Sequence, residues 1–159
     1  MTHKQLVRAA LKWLVRARGC EVVLSETKEP VTGETPDAIG WKGRHSILIE
    51  CKASRADFRR DKHKWFRLTH GLGQERLFMA PQGVIPAKEV PEGWGLLEVE
   101  GTVVKTILEE SLKFHDERRA AAELPLLVIA LRRAQIKLRK AQMRRRASPS
   151  GRRARKTRR

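Results

Sequence analysis

The chain has 159 residues, of which 35 are lysine or arginine and 18 are aspartate or glutamate, for a formal net charge of +17. This length predicts one domain with a real hydrophobic core and excludes two large ones. Residues 132–159 hold 14 of the bases and no acid, so residues 1–131 are nearly balanced, with 21 bases against 18 acids. Charge concentrated in this way predicts a polyanionic partner, because bound phosphates release counterions. Nucleic acid is the first expectation and an anionic membrane surface the alternative.

The sequence contains no apolar segment of membrane-spanning length. The longest uncharged apolar run, residues 124–131, includes a proline and is far shorter than the roughly 20 residues that cross a bilayer. Cations at helical spacing near the N-terminus are unlike a secretory signal. We therefore expect an intracellular protein without a membrane partner. Cys20 and Cys51 lack the neighbours of a zinc site or a disulfide framework, and both are predicted to be buried thiols.

The first predicted element is a helix over residues 4–18. Its apolar residues recur with a period of 3.6 residues, and Gly19 follows at a natural C-cap position. The helix is expected to pack one face on the rest of the domain. That face is predicted to consist of Leu6, Ala10, Trp13 and Ala17.

Strands and a second helix are predicted to follow. Short apolar runs bounded by turn residues predict the strands, and the second and third are joined by a hairpin turn. Ser54 and Asp57 have the spacing of a capping box, which predicts a helix directly after the third strand. The predicted strands cover residues 20–24, 37–41, 45–51, 76–80, 95–99 and 102–107. This order predicts an α/β fold with a mixed central sheet flanked by helices.

Three parts are predicted along the chain: a core of residues 1–115, a basic amphipathic helix of residues 116–147, and a disordered basic tail of residues 148–159. Pro125 is acceptable in the first turn of such a helix. Apolar residues of the helix repeat at alternating spacings of four and three, which predicts packing on the body or, alternatively, a homodimeric coiled coil. This seam consists of Leu127, Leu131, Ala134, Leu138 and Ala141.

A charged constellation lies in the stretch TPDAIGWKGRHSILIECKAS, residues 35–54. Asp37 begins one predicted strand and Glu50 and Lys52 end the next, so the hairpin is expected to bring the two carboxylates side by side. Strand alternation puts Glu50 and Lys52 on one face and Cys51 on the other, in the core. Spacing alone leaves two interpretations open: a catalytic centre, or a hairpin with a capping aspartate and an exposed ion pair.

Glu50 favours the catalytic interpretation, because a carboxylate at the end of the apolar run of residues 47–49 is costly to desolvate unless something binds it. Two carboxylates with a backbone carbonyl and water suit Mg²⁺, which prefers oxygen ligands in near-octahedral geometry. The metal would polarise a phosphodiester and activate a water. Lys52 would orient that nucleophile and stabilise charge in the transition state.

The motif PD…ECK resembles that of the PD-(D/E)xK nuclease superfamily, which has the restriction-endonuclease-like fold. The segments ILIECKASRADFRRDKHKWFR, LFMAPQGVIP and VPEGWGLLEV further resemble a bacterial and phage family within it, the MmcB-like DNA-repair proteins. The resemblance covers residues 1–100. It implies a metal-dependent DNA nuclease in repair or phage DNA processing, in the cytoplasm and at the nucleoid of a bacterial or phage-infected cell. The alternative is a nuclease-like fold that binds nucleic acid without cleaving it.

The resemblance also implies roles for individual residues. Asp37 and Glu50 would bind Mg²⁺ or Mn²⁺ together with the backbone carbonyl of Cys51, and Lys52 would be the catalytic lysine. Many members also have a glutamate on the first helix, where this sequence has Gln5. Glu26 is a candidate for a further metal ligand, with an exposed carboxylate at a strand end as the alternative.

Basic side chains outside the centre are expected to contact DNA. Arg55 and Lys62 follow the motif in the stretch S-R-x-D-F-x-x-D-K and would contact phosphate, whereas Asp57 is assigned to the helix cap. Trp65 and Trp94 are predicted to belong to the core. The helix and tail would add sequence-independent affinity. The residues expected to supply it are Arg132, Arg133, Lys137, Arg144, Arg145, Arg146, Arg152 and Arg153.

Overall fold

The computed structural model describes residues 1–28, 30, 33–61, 71–109 and 117–147, with side chains for residues 121–145 in the last of these ranges. Some predictions lie outside the described residues: the second half of the second helix with Lys62 and Trp65, the side chain of Arg146, and the tail with Arg152 and Arg153. The described chain is a mixed α/β structure with a six-stranded sheet and flanking helices, which confirms the predicted fold class.

Helix α1, His3–Arg16, begins at a reciprocal capping box. The Thr2 hydroxyl accepts a hydrogen bond from the Gln5 backbone N–H, and the Gln5 side chain accepts one from the Thr2 N–H. Two N–H groups that the helix itself leaves without partners are thereby satisfied, which fixes where α1 begins.

The buried face of α1 differs from the predicted stripe. Leu6 and Ala10 are buried as expected, but Trp13 is only partly buried and Ala17 is exposed beyond the end of the helix. The apolar residues of α1 can be grouped at three- and four-residue spacings into more than one face of the helix. The face that contacts the sheet is the one made of aliphatic residues. The buried residues are Leu6, Val7, Ala10 and Leu14.

Six strands form one sheet in the order of the sequence. They are β1 Val22–Ser25, β2 Ala38–Lys42, β3 His45–Cys51, β4 Glu75–Pro81, β5 Gly95–Glu100 and β6 Val103–Leu108. The pairs β1–β2, β2–β3 and β5–β6 are antiparallel, whereas β3–β4 and β4–β5 are parallel. Helix α2, Arg55–Asp61, lies in the connection from β3 to β4, and a 3₁₀ turn, Ala87–Glu89, in the connection from β4 to β5. The sheet is therefore mixed, as predicted.

The register of the sheet brings the PD segment next to the ECK segment. Ala38 pairs with Ile49, so Asp37, one residue before β2, falls opposite Glu50. Because β3 and β4 are parallel, with Cys51 opposite Met79, the ends of both strands lie at the same edge as the start of β2. The predicted hairpin is present, and its geometry gathers three chain segments at that edge.

The main hydrophobic core lies between α1 and one face of the sheet. Ile47, Ile49 and Cys51 of β3 are buried in it together with the aliphatic face of α1. Both cysteines are buried free thiols, as predicted, and burial raises the pKa of the Cys20 and Cys51 thiols. Alternate residues of β3 therefore face away from this core.

The chain forms two compact units, Met1–Glu123 and Leu124–Arg159. Helix α3, Glu117–Ala147, starts in the first unit, which therefore extends past the predicted boundary at residue 115. Pro125 lies inside α3 and not in its first turn. In the second unit Leu131 and Leu138 of the seam are each 60% exposed. No helix in the described ranges has both the length and the apolar character needed to span a membrane.

The carboxylate of Glu123 joins the start of α3 to the sheet. It accepts hydrogen bonds from Trp41 Nε1 at 2.8 Å, from the Ser46 hydroxyl at 2.8 Å and from the Gly73 backbone N–H at 2.9 Å. Gly73 has a φ of 82° and passes so close to Leu48 that a Cβ would lie 2.5 Å from the Leu48 Cβ. A side chain at residue 73 would therefore disturb this network.

We expect Glu123→Ala to lower the free energy of unfolding by about 3 kcal/mol or more, because it leaves three buried donors without their acceptor. Urea denaturation measures the change. Glu92→Ala removes an exposed carboxylate and serves as the matched control. Equal midpoints for the two variants would show that the Glu123 network contributes nothing to stability.

Candidate functional site

A pocket of about 540 Å³ opens at the edge where β2 begins and β3 ends. Asp37, Glu50, Cys51 and Lys52 all line it. Cys51 contributes its backbone there, since its side chain is in the α1-facing core. The structure thus brings together the side chains that the sequence singled out, at the end of a rigid strand pair.

Asp37 contacts a main-chain donor and a histidine ring. Its Oδ2 accepts a hydrogen bond of 2.8 Å from the Cys51 backbone N–H, and its Oδ1 lies 3.3 Å from His3 Nε2. Burial raises the pKa of Asp37 above its ordinary value, and this effect outweighs the lowering by the Cys51 hydrogen bond and by the nearby His3 and Lys52. The fold therefore opposes the ionised form of this carboxyl.

Lys52 places an ammonium group in the same pocket. Its side chain is only 6% exposed, and its Nζ lies 3.7 Å from Glu50 Oε2. The Lys52 backbone N–H donates a 2.9 Å hydrogen bond to the Met79 carbonyl, which extends the β3–β4 pairing by one residue past the strand end. A buried cation beside partly buried carboxylates is costly in solvation, and such arrangements concentrate at functional sites.

The predicted metal ligands fit Mg²⁺ or Mn²⁺ by their chemistry. Asp37, Glu50 and the Cys51 carbonyl offer only oxygen atoms, which these hard cations prefer. In the described part of the chain no group of three or more His, Cys, Asp or Glu side chains could hold a metal ion. The predicted set has two such side chains and a carbonyl, so it would need water or substrate oxygens to complete the coordination.

His3 is a pocket residue that the sequence did not indicate. It lies in the first turn of α1, and its Nε2 is 3.3 Å from Asp37 Oδ1 and 4.0 Å from Glu26 Oε1. Gln5, which the resemblance compares with the first-helix glutamate of the superfamily, belongs to the N-terminal cap of α1. Because His3 reaches Asp37 only through the docking of α1 on the sheet, no local sequence signal marks it.

Glu26 lies close to the pocket but is not among the described residues that line it. It follows β1 with a φ of 45°, and its backbone N–H donates to the Pro36 carbonyl at 3.0 Å. Its side chain is 57% exposed. The His3 ring lies near the carboxylates of both Glu26 and Asp37. The role of Glu26 as a metal ligand stays a prediction.

Aromatic side chains also line the pocket, and Phe78 pairs with Glu50 in the sheet. The rings of Phe78 and Trp94 stack at a centroid distance of 4.4 Å, and Phe58 meets Phe78 edge-on at 5.3 Å. Trp94 belongs to the core, as predicted, and the Arg76 guanidinium lies 5.7 Å from its ring centroid.

Arg76 is 1% exposed although the sequence marked it only as a strand residue. Glu34, also buried, lines the pocket and accepts a hydrogen bond from the Leu72 N–H.

The residues predicted to contact phosphate have different environments. Arg55 forms an ion pair with Glu89, so its guanidinium already has a carboxylate partner. Asp57 lines the pocket, and its backbone N–H donates to the Ser54 hydroxyl at 3.2 Å, which confirms Ser54 as the cap of α2. On α3 the described cations of the prediction are all exposed. They are Arg132, Arg133, Lys137, Arg144 and Arg145.

Comparisons with known proteins give information on the fold of the chain and none on its chemistry. No protein-family model matches the sequence, and no curated protein matches it significantly. Among solved structures, the SPO1766 protein of unknown function from Silicibacter pomeroyi is similar, with a TM-score of 0.67 and 24% sequence identity. The match covers 89% of this chain and 94% of that chain. At this level of identity the similarity shows a shared fold.

We expect Asp37→Asn to raise the melting temperature of the metal-free protein at pH 7. The folded-state pKa of Asp37 lies above the ordinary 3.8, so the folded protein favours the neutral form and loses stability as pH rises through that pKa. The asparagine carbonyl can still accept the Cys51 hydrogen bond.

The advantage of the Asp37→Asn variant should shrink as the pH is lowered, because wild-type Asp37 then becomes neutral as well. Thermal melts in EDTA over a pH series measure this, with Glu92→Gln as the exposed control. A variant less stable than wild type at pH 7 would contradict the prediction.

Proposed function

We propose that the protein is a divalent-metal-dependent nuclease that hydrolyses phosphodiester bonds in DNA. The observation that carries this proposal is the convergence of Asp37, Glu50 and Lys52 in one pocket, where strand pairing fixes both carboxylates. The PD-(D/E)xK resemblance, with its MmcB-like branch, supports the same activity through the same residues.

The roles of the residues follow from their chemistry. Asp37, Glu50 and the Cys51 carbonyl would hold Mg²⁺ or Mn²⁺, which when bound supplies Lewis acidity toward the phosphodiester and its attacking water. Lys52 donates hydrogen bonds from its ammonium group, which orients the water and stabilises negative charge on the phosphoryl oxygens. The oxygen of the water forms a bond to phosphorus and gives up a proton to the solvent. The bond from phosphorus to the leaving sugar oxygen breaks, and that oxygen takes up a proton from the solvent.

The energetics of the pocket agree with this assignment. Burial raises the pKa of Asp37, and Lys52 is almost completely enclosed. A fold selected for stability alone gains little from such groups, since a hydrophobic side chain would fill the same volume without the desolvation cost. A bound cation would favour the ionised carboxylates and so offset that cost.

A non-catalytic nucleic-acid-binding protein is the alternative, and one observation favours it. Both oxygens of Asp37 already face groups of the chain itself, the Cys51 N–H and the His3 ring. In a pure binding protein these contacts would be permanent, and the 14 cations of residues 132–159 would supply the affinity.

The cellular setting follows from the proposed substrate. A DNA nuclease of this kind would act in the cytoplasm, at the nucleoid of a bacterial or phage-infected cell, in repair or phage DNA processing. The exposed seam leucines of α3 would allow a homodimer, which would supply two pockets for a cut in both strands.

We expect Lys52→Met to reduce metal-dependent DNA cleavage by at least about 100-fold, because it removes a charged donor from the transition state. Methionine retains the buried alkyl chain, so folding and DNA binding should persist. Plasmid and oligonucleotide cleavage with Mg²⁺, Mn²⁺ or EDTA measures the effect, and Lys88→Met, at an exposed residue, is the control. Equal rates for Lys52→Met and wild type would eliminate the proposed mechanism.

Replacing five exposed cations of α3 by glutamine separates the two functions. For a nuclease, the variant should bind DNA with a salt dependence weaker by up to about 4.5 in log–log slope yet still cut at low salt. For a pure binding protein, DNA binding weakens in the same way, because nine of the 14 cations of residues 132–159 remain, and no cleavage is seen in either form. The replaced residues are Arg132, Arg133, Lys137, Arg144 and Arg145.

A further inference from the structure

Helix α1 carries a row of cations at every fourth residue. Lys4, Arg8, Lys12 and Arg16 are all exposed, and the helix contains no acidic residue. Residues four apart lie on neighbouring turns, about 6 Å apart along the axis. The row therefore presents positive charge at a regular spacing, comparable with that of successive phosphates in a nucleic acid strand.

Three of these cations form one wall of a groove of about 740 Å³. Arg8, Lys12 and Arg16 line it together with Trp13, whose indole is partly buried. The opposite wall is the β5–β6 hairpin, which contributes small and apolar residues and no carboxylate. The hairpin residues that line the groove are Val99, Gly101, Thr102 and Val104.

The charge in this groove is not neutralised by the chain as described. Within the described ranges no ion pair involves Lys4, Arg8, Lys12 or Arg16, whereas the nearby hairpin acid Glu100 is paired with Lys105 at 2.7 Å. Unpaired cations of one sign along a concave surface attract a polyanion. The helix has an apolar side buried in the core and this second side facing the groove, so packing does not explain the cations.

The groove and the candidate active site meet at the N-terminus of α1. Met1 and Gln5 line the groove, while His3, between them in sequence, lines the pocket that contains Asp37 and Lys52. Both cavities lie in the first compact unit. A chain-like ligand that follows the groove from Arg16 toward Gln5 is therefore led to the pocket that contains Asp37 and Lys52.

We propose that the groove between α1 and the β5–β6 hairpin binds the sugar–phosphate backbone of one nucleic acid strand and guides it into the pocket. This inference rests on the proposed function and adds a substrate path to it. Arg8, Lys12 and Arg16 contact successive phosphates. Trp13, whose ring centroid also lies 5.5 Å from the Arg18 guanidinium, offers its remaining apolar surface to a sugar or base. The inference assigns substrate positioning to α1, whereas α3 is expected to supply sequence-independent affinity.

Lysine footprinting tests the assignment residue by residue. Full-length Lys52→Met protein is acylated in EDTA with and without a dT oligonucleotide, and mass spectrometry measures each modification. DNA should reduce modification of Lys12 several-fold while leaving exposed Lys28 and Lys88 nearly unchanged. Equal modification of Lys12 with and without DNA would overturn the proposal. Stronger protection of Lys12 by polyglutamate than by DNA would also overturn it, in favour of an acidic protein partner.

A matched pair of triple variants gives a second readout. Arg8→Gln/Lys12→Gln/Arg16→Gln should lower the log–log salt slope of single-strand binding by about 2, whereas Lys28→Gln/Arg44→Gln/Lys88→Gln should leave it nearly unchanged. Equal slopes for the two triple variants would overturn the groove assignment. Protection and a lowered slope in a protein that cuts no DNA with any metal would refute the nuclease and retain the groove. Cleavage without protection would refute the groove alone.

Discussion

The pairing of β2 with β3 is the constraint on which the rest of the structure depends. Its register sets Asp37 opposite Glu50, and the parallel strand β4 adds the Met79 carbonyl that holds the Lys52 backbone. A slip of one residue would turn Glu50 into the α1-facing core and bring Cys51 to the pocket. The buried Ile47, Ile49 and Cys51 prevent that slip, so the same hydrophobic pattern that stabilises the sheet also positions the charged groups.

The pocket shows a conflict between stability and chemistry. Its position at the strand ends encloses Asp37 and Lys52, and burial raises the pKa of Asp37. The hydrogen bond from the Cys51 N–H and the approach of His3 offset only part of that effect. Residues elsewhere compensate: the Glu123 carboxylate satisfies three buried donors and secures the start of α3 to the same sheet.

The basic residues divide into two groups with different physical roles. Those on α3 are exposed along a helix in a separate compact unit, and their number would give affinity that falls steeply with salt. Those on α1 are few, but three of them line a groove next to the pocket and would set the position of a bound strand. Net charge alone does not distinguish these groups, because it reports how many cations there are and not which surfaces they share.

The sequence by itself determined the α/β class, the bounds of β3, the PD–ECK hairpin and the burial of both cysteines, since each follows from local periodicity and turn chemistry. It also determined that Asp37, Glu50 and Lys52 would meet, because a tight hairpin fixes which residues face each other. Only the tertiary structure decided which face of α1 is buried and that His3 reaches Asp37. It also decided that Glu123 of α3 accepts hydrogen bonds from residues of the sheet and that Arg55 pairs with Glu89. These contacts join residues far apart in the chain or depend on how a helix docks, and neighbouring residues carry no signal for either.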